Sequence, residues 1–339
     1  MKRDIGYILL LLLTTAAMLT SCGSGSDDFD DEPQNVADNA SPQEIRFNAN
    51  VWRMMDGTRA SFYTTGTLSS GSFTAAAYTA NSTTEYITPT TVNWVTDKWV
   101  FDDGKHYWPA EGTLDFFAYM PTTLPSYITN MSDVASRVTY AAQNPQFKCK
   151  NLPMTYNSAS PTENQGSGLQ EFVLAMATGQ SKAGQGASGV TMNFSHPFTR
   201  IKMELSASQA TAITINTITF KSLKNNGSCS FAYNESTSEW KSTWTPSGDA
   251  TDFKATLNQD FTVTGSVQDI GVPYLMIPQN WTGNIEVEAT WVDWGVSLKH
   301  TLTTKVDAVT WAPGTSYTYT FTITETDLIV SSSKYTEQW

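Results

Sequence analysis

The chain has 339 residues and a formal net charge of −12, with 20 basic against 32 acidic residues. An acidic chain without a lysine or arginine cluster argues against binding to nucleic acid and against electrostatic binding to anionic lipid. Charged residues make up only 15% of the chain, while 11 Trp, 14 Tyr and 16 Phe accompany abundant threonine. This composition favours β-sheet, and the length suits two domains of ordinary size.

The N-terminus has the layout of a signal peptide. Lys2 and Arg3 precede an apolar run, residues 7–19, which is shorter than the roughly 20 apolar residues of a membrane-spanning helix. The run ends in Leu-Thr-Ser-Cys at Cys22, which resembles the site that bacterial lipoprotein signal peptidase cleaves. That resemblance implies a signal peptide over residues 1–21 and acyl chains, palmitate among them, on Cys22. Several acyl chains hold a protein stably at a membrane, here the outer membrane. An ordinary secreted protein is the alternative.

Residues 22–43 predict a flexible acidic tether, because the segment has no hydrophobic periodicity and cannot bury enough apolar surface to fold. Its start, Ser26-Asp27-Asp28, also resembles an acidic signal that sends some lipoproteins to the cell surface. A plain solvated linker is the alternative.

Three later segments alternate apolar and polar residues strictly, which is typical of strands with one buried face. The first is EIRFNANVW, residues 44–52, which places Ile45, Phe47, Ala49 and Val51 on one face. The other two are IEVEATW, residues 285–291, and YTYTFTIT, residues 317–324. Shorter runs of the same kind lie at residues 73–78, 114–119, 171–177, 190–194, 201–205, 213–220 and 261–267. Many short strands without a sustained helical period predict an all-β protein built of sandwiches.

The glycine-rich stretch GQSKAGQGASG, residues 179–189, is interpreted as a linker. It would separate an N-terminal β-sandwich domain, residues 44–182, from a C-terminal one, residues 183–339. Residues 121–170 form a long irregular region in which a short helix or hairpin is expected.

Candidate chemistry is sparse. No G-x-S-x-G or H-E-x-x-H motif occurs, and the three histidines lack neighbours at metal-ligand spacing: His106, His196 and His300. Two acidic pairs would suit a glycosidase, but such pairs are common on strand faces and turns: Asp102 with Asp103, and Glu286 with Glu288. We therefore expect no catalytic residue, no cofactor, no metal and no enzyme activity. Cys149 and Cys229 fall in different predicted domains, which favours two free or buried thiols over a disulfide.

Several sequence segments resemble segments of the fimbrillin family, and they occur in the family's order along nearly the whole chain. They are EIRFNANV with the later TRA at 58–60, HYWPAEGTLDFFAYMP at 106–121, VTMNFSHPFTRIKMEL at 190–205, YLMIPQ at 274–279 and WAPGTSYTYTFTI at 311–323. The resemblance implies two tandem transthyretin-like β-sandwich domains. It also implies a structural pilus subunit, exported as a surface lipoprotein and polymerised with other pilus subunits outside the outer membrane.

The resemblance further implies processing. A protease would cut after an arginine in this region, the first strand would leave, and a strand of another subunit would fill the groove. Arg59 is the preferred cut site, because Arg46 lies inside the predicted strand and Arg53 lies close to its end. The donor would be the C-terminal segment TDLIVSSSKYTEQW, residues 326–339, with Leu328, Val330 and Tyr335 as apolar knobs. A subunit that keeps its first strand is one alternative. The other is a surface lipoprotein that binds glycan or a protein partner without polymerising, through exposed tryptophans chosen from Trp240, Trp244, Trp291 and Trp294.

Overall fold

The computed structural model describes residues 42–51, 71–80, 82, 84–129, 146–160, 165, 169–186, 188–234, 239–262 and 266–335. These residues form strands and connections, and no helix occurs among them. The all-β class predicted from the composition and the alternation is therefore confirmed. Cys22 and Arg59 lie outside the described residues.

The strands are numbered in chain order. The first ten are β1 (Phe47–Val51), β2 (Ser72–Thr79), β3 (Glu85–Val95), β4 (Lys98–Phe101), β5 (Leu114–Met120), β6 (Ile128–Thr129), β7 (Gln146–Cys149), β8 (Thr155–Asn157), β9 (Val173–Gln180) and β10 (Val190–Phe194). The others are β11 (Thr199–Ser208), β12 (Ala212–Leu223), β13 (Asn226–Asn234), β14 (Glu239–Ser247), β15 (Thr251–Thr262), β16 (Gln268–Asp269), β17 (Tyr274–Met276), β18 (Asn280–Asp293), β19 (Val296–Thr310), β20 (Ser316–Ile323) and β21 (Leu328–Tyr335).

The central sheet of the N-terminal part has the order β4-β3-β2-β5-β9, and its strands β2, β5 and β9 are buried on both faces over most of their length. Strand β5 explains why, since its successive aromatic residues point to opposite faces. Phe116 packs in an N-terminal cluster that includes residues of β1 and β10. Phe117 packs in a middle cluster with Phe147 of β7 and Phe231 of β13. Both faces of this aromatic strand are therefore covered.

The C-terminal part pairs two sheets face to face. One has the order β19-β18-β12-β15-β8, and the other has the order β16-β11-β20-β21 with β17 also bonded to β11. Their shared cluster contains Phe220, Trp281, Trp311 and Tyr319, and the Trp311 Nε1–H donates to the Tyr319 hydroxyl at 2.9 Å. The alternation of β20 thus places Tyr317, Tyr319 and Phe321 in the buried core, where the indole N–H of Trp311 has a hydrogen-bond partner.

Two predictions are tested only in part. Strand β15 covers the first two residues of the run predicted at 261–267, and residues 266 and 267 are not in a strand, while 263–265 lie outside the described residues. The irregular region, where it is described, holds the short strands β6, β7 and β8, of which β6 and β7 pair antiparallel, and no helix. Strand β8 pairs in parallel with β15, and β10 pairs with β1. The division into domains 44–182 and 183–339 stays a prediction.

Candidate functional site

Strand β1 has the predicted alternation. Ile45, Phe47 and Ala49 are buried, while Arg46 and Asn48 are exposed. The apolar residues belong to the N-terminal cluster that also contains the inner faces of the central sheet. The strand therefore plugs the core, which means that its apolar face fills a space in the N-terminal cluster while its polar face lies in solvent.

Phe47 is the centre of that plug. Its ring lies 5.6 Å from the ring of Phe73, 5.3 Å from Phe101 and 5.6 Å from Phe116, measured between centroids. Edge-to-face contacts of this kind stabilise beyond the apolar area they bury. A pocket built by β2, β4 and β5 thus receives one aromatic side chain of β1.

The main chain of β1 is bonded to a single strand within the described chain. It runs parallel to β10, from the pair Phe47–Val190 to the pair Val51–Phe194. Just before the strand, the Ile45 N–H donates to the His106 carbonyl at 2.8 Å, and the Trp108 N–H donates to the Gln43 carbonyl at 3.0 Å. These two hydrogen bonds hold the residues just before β1, whereas the strand itself is hydrogen-bonded along one edge.

The start of β1 also carries surface charges. The Glu44 carboxylate lies 3.5 Å from Lys105 Nζ and 4.0 Å from an Arg46 guanidinium nitrogen. Both cationic side chains are well exposed, so solvent screens these pairs and each contributes little to stability.

Strand β21, the predicted donor, lies at the edge of its own sheet. It pairs antiparallel with β20 along its whole length, from Leu328 opposite Ile323 to Tyr335 opposite Ser316. Leu328 is buried and Val330 packs partly against the C-terminal cluster, while Ile329 is 59% exposed. The Tyr335 side chain lies outside what the structure describes. The donor segment is therefore an ordinary edge strand in the single chain.

The four candidate tryptophans have different surroundings. Trp244 is half-buried and donates to the Pro197 carbonyl at 2.6 Å. Trp291 is buried and its ring stacks on His300 at 3.5 Å between centroids. Trp294 is fully exposed in the turn between β18 and β19. The Trp240 side chain lies outside the described part of the chain.

Each histidine faces one carboxylate. The closest nitrogen–oxygen distances are 2.8 Å for His106 and Asp103, 2.6 Å for His196 and Glu171, and 3.1 Å for His300 and Asp293. Sequence reasoning missed the buried pair His196–Glu171, because the two residues lie far apart in the chain and meet only where β9 and β10 come together. Among the described residues, no group of three histidine, cysteine, aspartate or glutamate side chains is placed to hold a metal ion.

The acidic pair on β18 is matched by lysines. Glu286 lies 3.5 Å from Lys221 Nζ, and Glu288 lies 2.9 Å from Lys299 Nζ. The hydrogen bond from Lys299 is the largest influence on the Glu288 carboxyl and lowers its pKa. A lowered pKa keeps this carboxyl ionised, which is the opposite of what a general acid requires.

Cys149 and Cys229 lie on neighbouring strands, β7 and β13, although the sequence placed them in separate domains. Both are free and buried. Burial raises the pKa of Cys149 to about 12 and that of Cys229 well above its ordinary value. Both thiols therefore stay protonated and behave as small apolar side chains.

Within the described ranges, no helix is long and apolar enough to cross a membrane. A family model described as fimbrillin-like matches residues 58–339, so the chain belongs to the fimbrillin-like family. A sequence search among curated proteins finds no match.

Solved structures resemble this fold. A fimbrial protein from Bacteroides vulgatus is 14% identical with a TM-score of 0.58, over 86% of this chain and 99% of that one. The tip fimbrial protein Mfa3 from Porphyromonas gingivalis, with a C-terminal truncation, is 9% identical with a TM-score of 0.42, over 86% of this chain and 99% of that one. The first likeness places this chain in the fold of fimbrial proteins.

Proposed function

We propose that the protein is a structural subunit of a cell-surface pilus or fimbria that polymerises by exchanging β1 for a strand of another copy. The observation that carries this proposal is the placement of β1: a strand with one ladder whose apolar side chains fill a pocket. The chain leaves β1 through residues 52–70, a segment that contains Arg59. Two tandem transthyretin-like sandwiches are the architecture we propose for it.

Removal of β1 would leave two parts of the groove without their binding partners. The pocket of Phe73, Phe101 and Phe116 would lose the Phe47 ring, and the N–H and C=O groups of β10 that face β1 would lose their partners. An added strand restores both, because ladder hydrogen bonds give affinity and pockets at alternate positions give specificity.

Strand β21 is the proposed donor. Within the described residues it is bonded on one edge only, and Leu328 and Val330 stand at alternate positions as an occupant of the groove requires. Tyr335, the third proposed knob, stands five positions after Val330, so the alternation does not extend to it. Donation needs β21 to leave β20, whose ladder it completes in the single chain.

The anchor is proposed at Cys22. Acyl chains there, after removal of residues 1–21, would hold the precursor at the outer membrane, and residues 22–43 would tether the folded part to it. Replacing Cys22 with Ser should abolish labelling by a fatty-acid probe and release the protein from the membrane fraction. Unchanged labelling and fractionation would contradict the lipoprotein proposal.

Polymerisation is tested on the purified precursor with an arginine-specific protease. A new N-terminus at Ala60 together with SDS-resistant ladders supports the proposal, and deletion of the residues after Asp327 should abolish the ladders. Arg59→Ala is the matched variant, which should stay uncut at this position. A precursor that is cut at Arg59 but remains monomeric would remove strand exchange as the mechanism.

A surface lipoprotein that binds glycan or a protein partner as a monomer is the second candidate. The observation that favours it is Trp294, which is fully exposed and adopts a positive φ of 49°. A bulky residue rarely adopts that backbone conformation. Saturable binding to a glycan array by a stable monomer, lost in Trp294→Ala and kept in Val292→Ala, would support this candidate. Ladder formation without any such binding would exclude it.

A further inference from the structure

One buried side chain holds the beginning of β1. Gln185, which lies in the glycine-rich stretch interpreted from the sequence as a linker, accepts from the Arg46 N–H at 2.9 Å through Oε1. Its Nε2 donates to the Glu44 carbonyl at 3.2 Å. The described part of this stretch after β9 is therefore a loop that contacts the chain at the start of β1.

The amide copies the hydrogen-bonding groups of a neighbouring strand. In an extended chain, the carbonyl of one residue and the N–H of the residue two positions later project from the same edge. Gln185 satisfies such a pair, from Glu44 and Arg46, and the next group on that edge, the Arg46 carbonyl, accepts from the Val190 N–H at 2.7 Å. Gln185 thus continues the ladder of β10 beyond the end of the strand.

The orientation of the amide is fixed by Trp108. The indole Nε1–H, which can only donate, lies 2.9 Å from Gln185 Oε1. The amide oxygen must therefore face Trp108 and the Arg46 N–H, which leaves the NH₂ group for the Glu44 carbonyl. The Gln185 N–H in turn donates to the Ser181 carbonyl at 3.0 Å, which positions the loop that carries it.

Gly189 makes the second contact. It has a φ of 87°, and a Cβ built on it would lie 2.5 Å from the Arg46 carbonyl carbon and 2.8 Å from the Phe47 nitrogen. Only glycine allows the loop to approach the β1 main chain this closely. Like the Gln185 bonds, this contact involves main-chain atoms of β1, and neither depends on which side chains the strand carries.

We propose that Gln185 and Gly189 form a main-chain receptor that seats any strand in this groove: β1 first, and afterwards the incoming strand of a second copy. The second occupant rests on the strand exchange proposed above. The ligand is an extended segment parallel to β10, with an apolar side chain at the position of Phe47. The receptor binds its main chain, while the aromatic pocket, which takes one apolar side chain, sets its register and selects its sequence.

A matched control exists in the same chain. Gln259 bridges main-chain groups in the same manner, since its Nε2 donates to the Asp269 carbonyl at 3.1 Å and its Oε1 accepts from the Gly271 N–H at 2.8 Å. That site lies in the C-terminal sheets, away from β1. Gln185→Met and Gln259→Met each remove two hydrogen bonds to main-chain groups while retaining the length of the side chain, and Gln185→Met also removes the bond from Trp108.

The first measurement is amide hydrogen exchange in the uncut full-length chain with Cys22→Ser. Gln185→Met removes the two hydrogen bonds to the main chain before β1 and the one from Trp108, and this loss predicts that the Arg46 amide exchanges about tenfold faster than in the wild type. Gln259→Met should leave it unchanged and accelerate Gly271 instead. Gly189→Ala, which keeps Gln185, should also accelerate the Arg46 amide. If Arg46 exchanges at the wild-type rate in both Gln185→Met and Gly189→Ala, the receptor is wrong, whatever the fate of strand exchange.

The second measurement follows cleavage by the arginine-specific protease. After the protease is inhibited, a labelled peptide of residues 42–51 is added in excess and its exchange with the bound strand is timed. Exchange about tenfold faster in Gln185→Met than in the wild type and in Gln259→Met supports the receptor. A different outcome is that the Arg46 amide exchanges faster as predicted while the cut strand is never replaced by peptide in any variant. In that case Gln185 and Gly189 bind β1, but binding of a second copy's strand is wrong, together with strand exchange.

Discussion

Strands β1 and β21 are each bonded to one neighbour within the described chain, yet they are held in different ways. Strand β1 has a short parallel ladder of five pairs and buries Phe47 among three aromatic rings. Strand β21 has an antiparallel ladder of eight pairs but, among the side chains described for it, buries only Leu328 fully. The first is held mainly by its side chains, and the second mainly by its main chain.

This difference suits the two proposed roles. A groove that binds through a pocket stays selective after its own strand has left, since the pocket still recognises an aromatic or aliphatic knob. A donor bound mainly by its ladder gives up less buried apolar surface when it leaves its sheet. Substitutions in the two strands should therefore lower the free energy of unfolding by different amounts. The following measurements are ordered from the largest expected effect to the smallest.

The largest effect is expected for Phe47→Ala. Truncating this buried ring should lower the free energy of unfolding by about 3–5 kcal/mol, measured by urea denaturation. Asn48→Ala, on the exposed face of the same strand, should stay within about 0.5 kcal/mol of the wild type. A loss below about 1 kcal/mol for Phe47→Ala would mean that β1 does not plug the core.

Leu328→Ala should lower the free energy of unfolding by less, about 2 kcal/mol. This is the low end of the range for a buried leucine, because an edge strand can relax into the space that the side chain leaves. Ile329→Ala, on the exposed face of β21, is the control and should change stability by less than about 0.5 kcal/mol. If Leu328→Ala proves as costly as Phe47→Ala in the same denaturation experiment, the contrast between the two strands fails.

Lys105→Ala tests the charges at the start of β1. Because this lysine is exposed, its loss should lower stability by no more than about 0.5 kcal/mol, and added salt should remove the difference. Thermal unfolding at low and high ionic strength is the measurement. A loss above about 1 kcal/mol that persists in salt would show that charge pairs, rather than the pocket, hold β1.

No change at all is expected in thiol labelling when β1 leaves. Cys149 and Cys229 lie in the middle cluster, on the face of the central sheet opposite β1, and burial keeps the pKa of Cys149 at about 12. At pH 8 both thiols stay protonated and inaccessible, so a maleimide should react only as fast as the whole domain unfolds. Rapid labelling directly after strand removal would show that the two faces of the sheet are coupled.

Alternation in the sequence predicted the individual strands well. The inward residues of β1 and β20, and the need to cover both faces of β5, follow from the pleat alone, because a strand's side chains point to opposite faces in turn. Local chemistry determines these features, so a short window of sequence contains them.

Pairing partners could not be predicted in this way. That β1 lies parallel to β10, or β8 parallel to β15, depends on the course of the whole chain. The role of Gln185 was hidden for the same reason, since a glutamine in a glycine-rich loop has no local signature of the strand start it bonds, about 140 positions away. The repeated use of glutamine amides against main-chain groups becomes visible only in the structure.

The most direct test of strand exchange is a cross-link between two copies, both with Cys22→Ser. One copy carries Thr191→Cys on β10, at the exposed position in register with Asn48 of β1, and the other carries Ser331→Cys on the exposed face of β21. The first copy is cut with the arginine-specific protease, mixed with the second, and treated with a flexible bismaleimide. We expect a linked pair that forms with the cut copy and not with the uncut one. A cut copy that has lost its β1 fragment yet links no better than the uncut copy would contradict strand exchange.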